Sequence, residues 1–224
     1  MIQPEALLQQ YFGHKAFRAG QKQAIDAILS GRDVLAVMPT GAGKSVCYQI
    51  SALLLPGVTI VISPLISLMQ DQVKGLNAAG IHAAFINSSL TETQIARALD
   101  LAAEGSYKLV YVAPERLESP VFRSFAAGAD ISMVTVDEAH CISQWGQDFR
   151  PSYLKILDFI DSLPRRPIVS AFTATATREV KDDIVCTLRL HDPKVLVTGF
   201  DRPNLYFQVE RTRRKDDFVI QYLR

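Results

Sequence analysis

The chain has 224 residues, 48% hydrophobic and 21% charged, the profile of an ordinary folded protein with a real core. That length suits one large domain, or one domain with part of another. A net charge of +1 excludes a global field drawing the whole chain onto nucleic acid or membrane, so any anion must be held by local groups. Cys47, Cys141 and Cys186 form no CxxC pair and no Cys/His cluster in the sequence. That argues against a disulfide framework, against zinc in this segment, and for a reducing compartment. The first residues lack the cationic start and apolar core of a signal peptide. No apolar run is long enough to span a bilayer.

In chain order, β-branched runs alternate with helical patterns. Strands are expected at 33–38, 59–63, 83–86, 108–113, 131–136, 167–172 and 194–198. Several are apolar throughout, as parallel strands covered on both faces should be. Helices are expected at 20–31, closed by Gly31, and at 67–80, opened by Ser67 and closed by Gly80. Another spans 91–105, with Thr91 and Gln94 in capping-box spacing, and two more lie at 152–163 and 177–190. The alternation implies a mainly parallel central sheet with helices on both faces. After "FDRPN" (200–204), residues 205–210 read as a strand and 211–224 as a helix cut short. They look like the opening of another domain; a helix packed on the same domain is the alternative.

The loop after the first strand, "PTGAGKS", opens a helix. Its glycines let backbone wrap around anionic oxygens, and amides at the helix start point at them. Lys44 would reach the β- and γ-phosphates and Ser45 would hold Mg²⁺. Met38 occupies the first glycine position of the full phosphate-loop pattern, but the wrapping residues are Thr40 to Ser45. A phosphate-loop serine needs a carboxylate to share the metal, and an attacking water needs a group to orient it. "DEAH" at 137–140 supplies both at the end of an apolar strand. Asp137 is the metal candidate, Glu138 the general base or water-positioning group, and His140 a sensor of the γ-phosphate. Taken alone, such an acidic pair is equally a helix N-terminus with favourable dipole placement.

Directly behind it lie Trp145, Phe149 and Tyr153, with Gln144, Gln147, Asp148 and Arg150 between them. A helix would put the three rings on one face as core packing. Pro151 argues for a loop instead.

"TGAGKS" (40–45), "DEAH", "FTATA" (172–176), "FRAGQ" (17–21) and "SPLISLMQDQV" (63–73) resemble motifs of superfamily 2 helicases. The run 137–153, with "APERL" (113–117) and "FDRPN", is similar to the RecQ helicases. The resemblance implies a RecA-like P-loop domain, with 1–24 as an N-terminal helix and adenine-recognition motif. It implies 25–199 as the ATP-binding domain and 200–224 as the start of a second, truncated one. It also implies ATP and Mg²⁺ as cofactors, single-stranded and duplex DNA as partners, and 3′→5′ unwinding by the full-length enzyme. A monomer in the cytoplasm of a bacterial cell, on the nucleoid, is expected. As an isolated lobe the chain would be an ATP- and DNA-binding module with negligible hydrolysis. An RNA helicase is a further alternative, disfavoured by the aromatic loop.

The resemblance assigns nucleotide contacts to His14, Arg18, Gln21, Met38, Pro39, Thr40, Gly41, Ala42, Gly43, Lys44 and Ser45. Gln21 would read the adenine edge and His14 would stack on the ring. Without the resemblance, this N-terminal trio is a solvated helix start. Ser63 and Ser67 would touch the DNA backbone, with Ser88, Ser89 and a helix beginning at Pro114 as further candidates; ordinary capping explains each equally well. Thr173 and Thr175 would link ATP state to lobe closure, the alternative being a helix-capping turn. Trp145 and Arg150 would sense DNA, Phe149 would move between packing and contact, and Tyr153 would sit in the core.

Overall fold

All seven β-branched runs become strands. The computed structural model describes residues 2–146, 148–199, 205–209 and 211–223. The strands are β1 (Val34–Val37), β2 (Val58–Ile62), β3 (Ala83–Ile86), β4 (Leu109–Val112), β5 (Ile131–Val136), β6 (Ile168–Thr173) and β7 (Lys194–Val197). They form one parallel sheet in the order β3-β4-β2-β5-β6-β1-β7. β1, β2 and β4 are buried along their whole length, because both sheet faces are covered.

Alternate residues of each strand feed two separate cores. On one face Val34, Ala36, Val61, Tyr111 and Phe172 pack under α1 (Pro4–Phe12), α2 (Gln21–Leu29), α3 (Lys44–Leu54) and α4 (Ile66–Ala78). On the other Leu35, Ile60, Ile62, Val134, Val136 and Ala171 pack under α5 (Glu92–Ala103), α6 (Pro120–Gly128), α7 (Lys155–Asp161) and α8 (Arg178–Thr187).

Local chemistry sets the helix ends. Thr91 and Gln94 make the expected capping box on α5. Gly31 and Gly80 adopt φ of +83° and +86° just past α2 and α4, where a left-handed residue ends a helix cheaply. Some boundaries differ from expectation. α4 begins at Ile66 with Leu65 as its cap, not at Ser67. The helix expected at Pro114 is a single 3₁₀ turn, Pro114–Arg116, and the longer α6 starts at Pro120 behind the Ser119 cap. Residues 205–209 carry no strand, and α9 (Lys215–Tyr222) has no buried residue. "FDRPN" lies outside the described residues.

At the sheet's amino end, buried Asp33 ties three strands together. It accepts from the Arg166 guanidinium at 2.6 Å, the Val169 N–H at 2.8 Å and the His191 N–H at 2.7 Å. Removing the carboxylate leaves an unpaired guanidinium and two unsatisfied amides. Asp33→Ala should therefore cost about 3 kcal/mol in urea denaturation. A loss below about 1 kcal/mol would mean that the pair is merely peripheral.

Candidate nucleotide site at the carboxyl edge of the sheet

The register of three adjacent strands positions the site. β6 lies between β5 and β1, with Val136 level with Ala171 and Val37 level with Thr173. Residues just beyond the strands continue the ladder. The Met38 N–H donates to the Thr173 carbonyl at 3.0 Å, and the Asp137 N–H to the Ile62 carbonyl at 2.9 Å. The phosphate-loop sequence, the acidic box and the Thr173 motif thus leave one edge of the sheet side by side. That carboxyl edge is where parallel sheets bind ligands.

Gly41 and Gly43 both have φ of +82°, a conformation that disfavours a side chain. Gly43 ends the loop and caps α3, whose first amides receive no side-chain cap. The Lys44 ammonium donates to the Met38 carbonyl at 3.3 Å. Met38 itself is buried in the core, so its part in the loop is played by its backbone. Ser45 stands in the first turn of α3, half-buried, and Pro39, Thr40 and Ala42 complete the loop.

Asp137 is buried, and its Oδ1 accepts the Glu138 N–H at 3.0 Å. Burial, then the neighbouring Glu138 charge, push its carboxyl up to about 6, and the Lys44 charge draws it back. A buried carboxylate beside one lysine has the donor chemistry that suits a hard divalent cation. Glu138 has φ of +48°, a strained value for a non-glycine residue. Its carboxyl is held below the usual range, chiefly by hydrogen bonding to His140 and also by Lys44. Lys44 therefore lies within electrostatic reach of both acids.

His140 joins the acidic box to Thr173. Its Nδ1 lies 2.9 Å from Thr173 Oγ1 and 3.3 Å from Glu138 Oε2. Thr173 gives its own hydrogen to the Thr175 carbonyl at 3.1 Å, so Nδ1 must carry the proton that Thr173 accepts. The Cys141 thiol and the Glu138 carboxylate raise the imidazole to about 10. The side chain that caps α8 is Thr177, bonded to the Val180 N–H, which leaves Thr173 and Thr175 outside a capping role.

The segment behind the box is a loop, as Pro151 implied. The three rings share no face: Trp145 is 80% exposed, Phe149 half-buried and Tyr153 fully buried. Gln147 lies outside the described residues. The far end of the loop is tied back to the acidic turn by two bonds. The Tyr153 hydroxyl donates to the Asp137 carbonyl at 2.9 Å, and the Arg150 N–H to the Cys141 carbonyl at 2.9 Å. The Arg150 guanidinium bonds the Pro64 carbonyl at 3.1 Å, beyond β2, and Asp148 Oδ2 at 2.8 Å. A Cβ on Gly146 would meet the His140 carbonyl at 2.3 Å, so the loop rests on the box itself.

The N-terminal residues reach the phosphate loop directly. The Gln21 side chain accepts the Arg18 N–H at 2.8 Å and donates to the Gly43 and Ala42 carbonyls at 3.0 and 3.2 Å. The Arg18 guanidinium bonds the Gly41 carbonyl. His14 is exposed. Along the neighbouring strand ends, Ser63 Oγ is buried with no partner among the described residues, while Ser67, Ser88 and Ser89 are exposed.

One absence expected from the sequence is corrected. The fold does make a Cys/His cluster: ligand atoms of His140, Cys141 and Asp148 all lie within 4.8 Å of one another. Spacing rules miss it because Asp148 returns to Cys141 only through the loop's fold. The Tyr153–Asp137 bond has no signature in the sequence either, since a core tyrosine carries no signal about the partner of its hydroxyl.

The DEAD/DEAH box helicase family model matches residues 18–183. The chain is 50% identical to the ATP-dependent DNA helicase RecQ of Bacillus subtilis, over 98% of this chain and 37% of that protein. It is 47% identical to RecQ of Pasteurella multocida, over 92% of this chain and 32% of that protein. With the yeast ATP-dependent helicase SGS1 it shares 41%, over 95% of this chain and 15% of the relative. The chain thus spans little more than a third of even the shorter of these relatives. The Pyrococcus furiosus Hef helicase domain has the same fold, with TM-score 0.64 at 18% identity over 88% of this chain and 40% of that one. A hypothetical ATP-dependent RNA helicase from Sulfolobus tokodaii reaches TM-score 0.69 at 19% identity, over 88% of this chain and 57% of that one.

Gly43 is the most constrained point of the loop. A Cβ there would lie 2.4 Å from Gln21 Nε2, on a left-handed backbone. Gly43→Ala should keep the circular dichroism of the parent but weaken fluorescent-ATP binding at least about tenfold. Parental affinity in a folded variant would show that the anion is not held by this loop.

Proposed function

This chain belongs to the DEAD/DEAH box helicase family, and from that premise we propose that it is the first motor lobe of a RecQ-type, ATP-dependent 3′→5′ DNA helicase. The observation carrying this function is the convergence of Lys44, Asp137, Glu138 and the His140–Thr173 pair on one strand edge. The identity to bacterial proteins named ATP-dependent DNA helicases supports the choice of DNA and of a bacterial cell as the setting.

In this proposal the loop amides and Lys44 hold the β- and γ-phosphates of ATP, and Ser45 and Asp137 hold Mg²⁺. Bound magnesium supplies Lewis-acid neutralisation of phosphate oxygens. Glu138 orients the attacking water, helped by a carboxyl that stays ionised near neutral pH. His140 senses the γ-phosphate and passes its state to Thr173 and Thr175. His14 and Gln21 meet adenine; Gln21 does so by exchanging loop carbonyls for the base edge. Single-stranded DNA runs over the exposed Ser67 and meets Trp145 and Arg150, where rings can stack on any base; Ser63, expected to touch the backbone, lies buried beneath that track. Residues 200–224 begin the second lobe.

No described helix is long and apolar enough to cross a membrane. By itself the chain should bind Mg-ATP weakly and hydrolyse it very slowly, as a binding module. The family's second lobe contributes an arginine, and such groups are worth about 10³–10⁵ in related phosphoryl transfers.

Phosphate release with and without single-stranded DNA tests this, comparing the chain with a protein carrying both lobes. DNA should stimulate the two-lobe protein strongly and the single lobe hardly at all. In the two-lobe protein, Lys44→Ala should abolish turnover, whereas Trp145→Ala should keep ATP binding and lose the stimulation. Equal stimulation in Trp145→Ala and parent would remove the loop from the coupling. Stimulation by RNA in place of DNA would turn the assignment toward the other helicases of the superfamily.

A further inference from the structure

We propose that His140 Nε2, Cys141 Sγ and a carboxylate oxygen of Asp148 form a binding site for a thiophilic divalent cation of the zinc class. The site shares His140 with the proposed nucleotide site but uses neither Ser45 nor Asp137, the residues proposed for magnesium. The Cys141 sulfur lies 3.8 Å from His140 Nε2 and 3.8 Å from Asp148 Oδ2. Ligands around a tetrahedral zinc stand about 3.5 Å apart, given bonds of about 2.0–2.3 Å. Two edges of the ligand triangle therefore nearly fit, and all three atoms fall within 4.8 Å. The remaining closure belongs to Asp148, a half-exposed side chain on a loop.

The surroundings suit a metal ligand. His140 directs its other nitrogen, Nδ1, at Thr173 Oγ1 and the Glu138 carboxylate. A metal-binding histidine is commonly oriented by such a partner on the ring's far side. Sulfur, imidazole and carboxylate together select zinc-class ions over magnesium, which prefers oxygen alone. Three protein ligands leave a fourth position for water on the exposed Asp148 side. The competitors are the proton that His140 carries on Nε2, which the metal displaces, and Arg150, which donates to the same Asp148 oxygen at 2.8 Å. An ion taking that oxygen leaves Arg150 its bond to the Pro64 carbonyl.

Bound metal would join Asp148 to the acidic turn and close the loop that carries Trp145. On the helicase function proposed above, that staple would restrain the DNA-sensing loop. The binding step itself does not depend on that function.

The test is titration of the chain with Co²⁺ and Zn²⁺ alone, without nucleotide or DNA. Thiolate-to-cobalt absorption reports the sulfur, and emission from Trp145, the one tryptophan in the chain, reports the loop. One Co²⁺ per chain should give the thiolate band and change the emission, Zn²⁺ should erase the band, and excess Mg²⁺ should not. Asp148→Asn, a surface change that spares the core, should weaken affinity about tenfold or more. Cys141→Ser should remove the band, and Cys186→Ser, at an exposed cysteine, should leave it intact. No thiolate band in the parent chain, or an affinity unmoved by Asp148→Asn, would overturn the site.

Discussion

The parallel register of β5, β6 and β1 is the constraint on which the site depends. Thr173 is level with Val37, and its carbonyl holds the Met38 amide where the phosphate loop begins. Its hydroxyl meets His140 of the acidic box. A slip of one residue in a buried parallel strand would turn its side chains to the other face. It would carry Thr173 away from His140 and break both cores at once. The two cores therefore do more than stabilise the domain: they fix the relative positions of a lysine, two carboxylates and an imidazole.

From this frame a continuous chain of contacts runs outward. Thr175 and Thr173 reach His140; the turn that holds His140 reaches Arg150 through the Cys141 carbonyl; Arg150 reaches Pro64 beyond β2. Tyr153 bonds the carbonyl of Asp137 itself. A displacement of the aromatic loop cannot stay local, because the loop leaves the acidic turn in sequence and its far end is bonded back to it. Glu138 sits in a strained backbone conformation at the centre of that turn, the kind of place where small shifts change catalytic geometry.

The strands were legible because burial on both faces makes them continuously apolar, and their carboxyl ends pointed to the loops that matter. Caps such as Thr91–Gln94 were legible because their chemistry is local. What could not be read depended on distant or conformational facts. Nothing local says that the helix starting at Pro114 stops after one 3₁₀ turn while the one at Pro120 runs on as α6. The Asp33–Arg166 pair joins residues 133 apart in sequence. Nothing in "DEAH" announces that Glu138 is left-handed, or that the fold brings Asp148 back to Cys141. For Gln21, the residue type suggested an amide free to read a base. The structure engages that amide with the Ala42 and Gly43 carbonyls, so the side chain fixes the shape of the loop.

The central claim is that Lys44 and Asp137 act on one magnesium–triphosphate. A double-mutant cycle of Mg-ATP affinity, using Lys44→Ala, Asp137→Asn and the pair together, measures it directly. The combined loss should fall short of the sum of the single losses by about 1 kcal/mol or more, as for groups sharing a ligand. Strictly additive losses would place the two residues at independent sites and contradict the account.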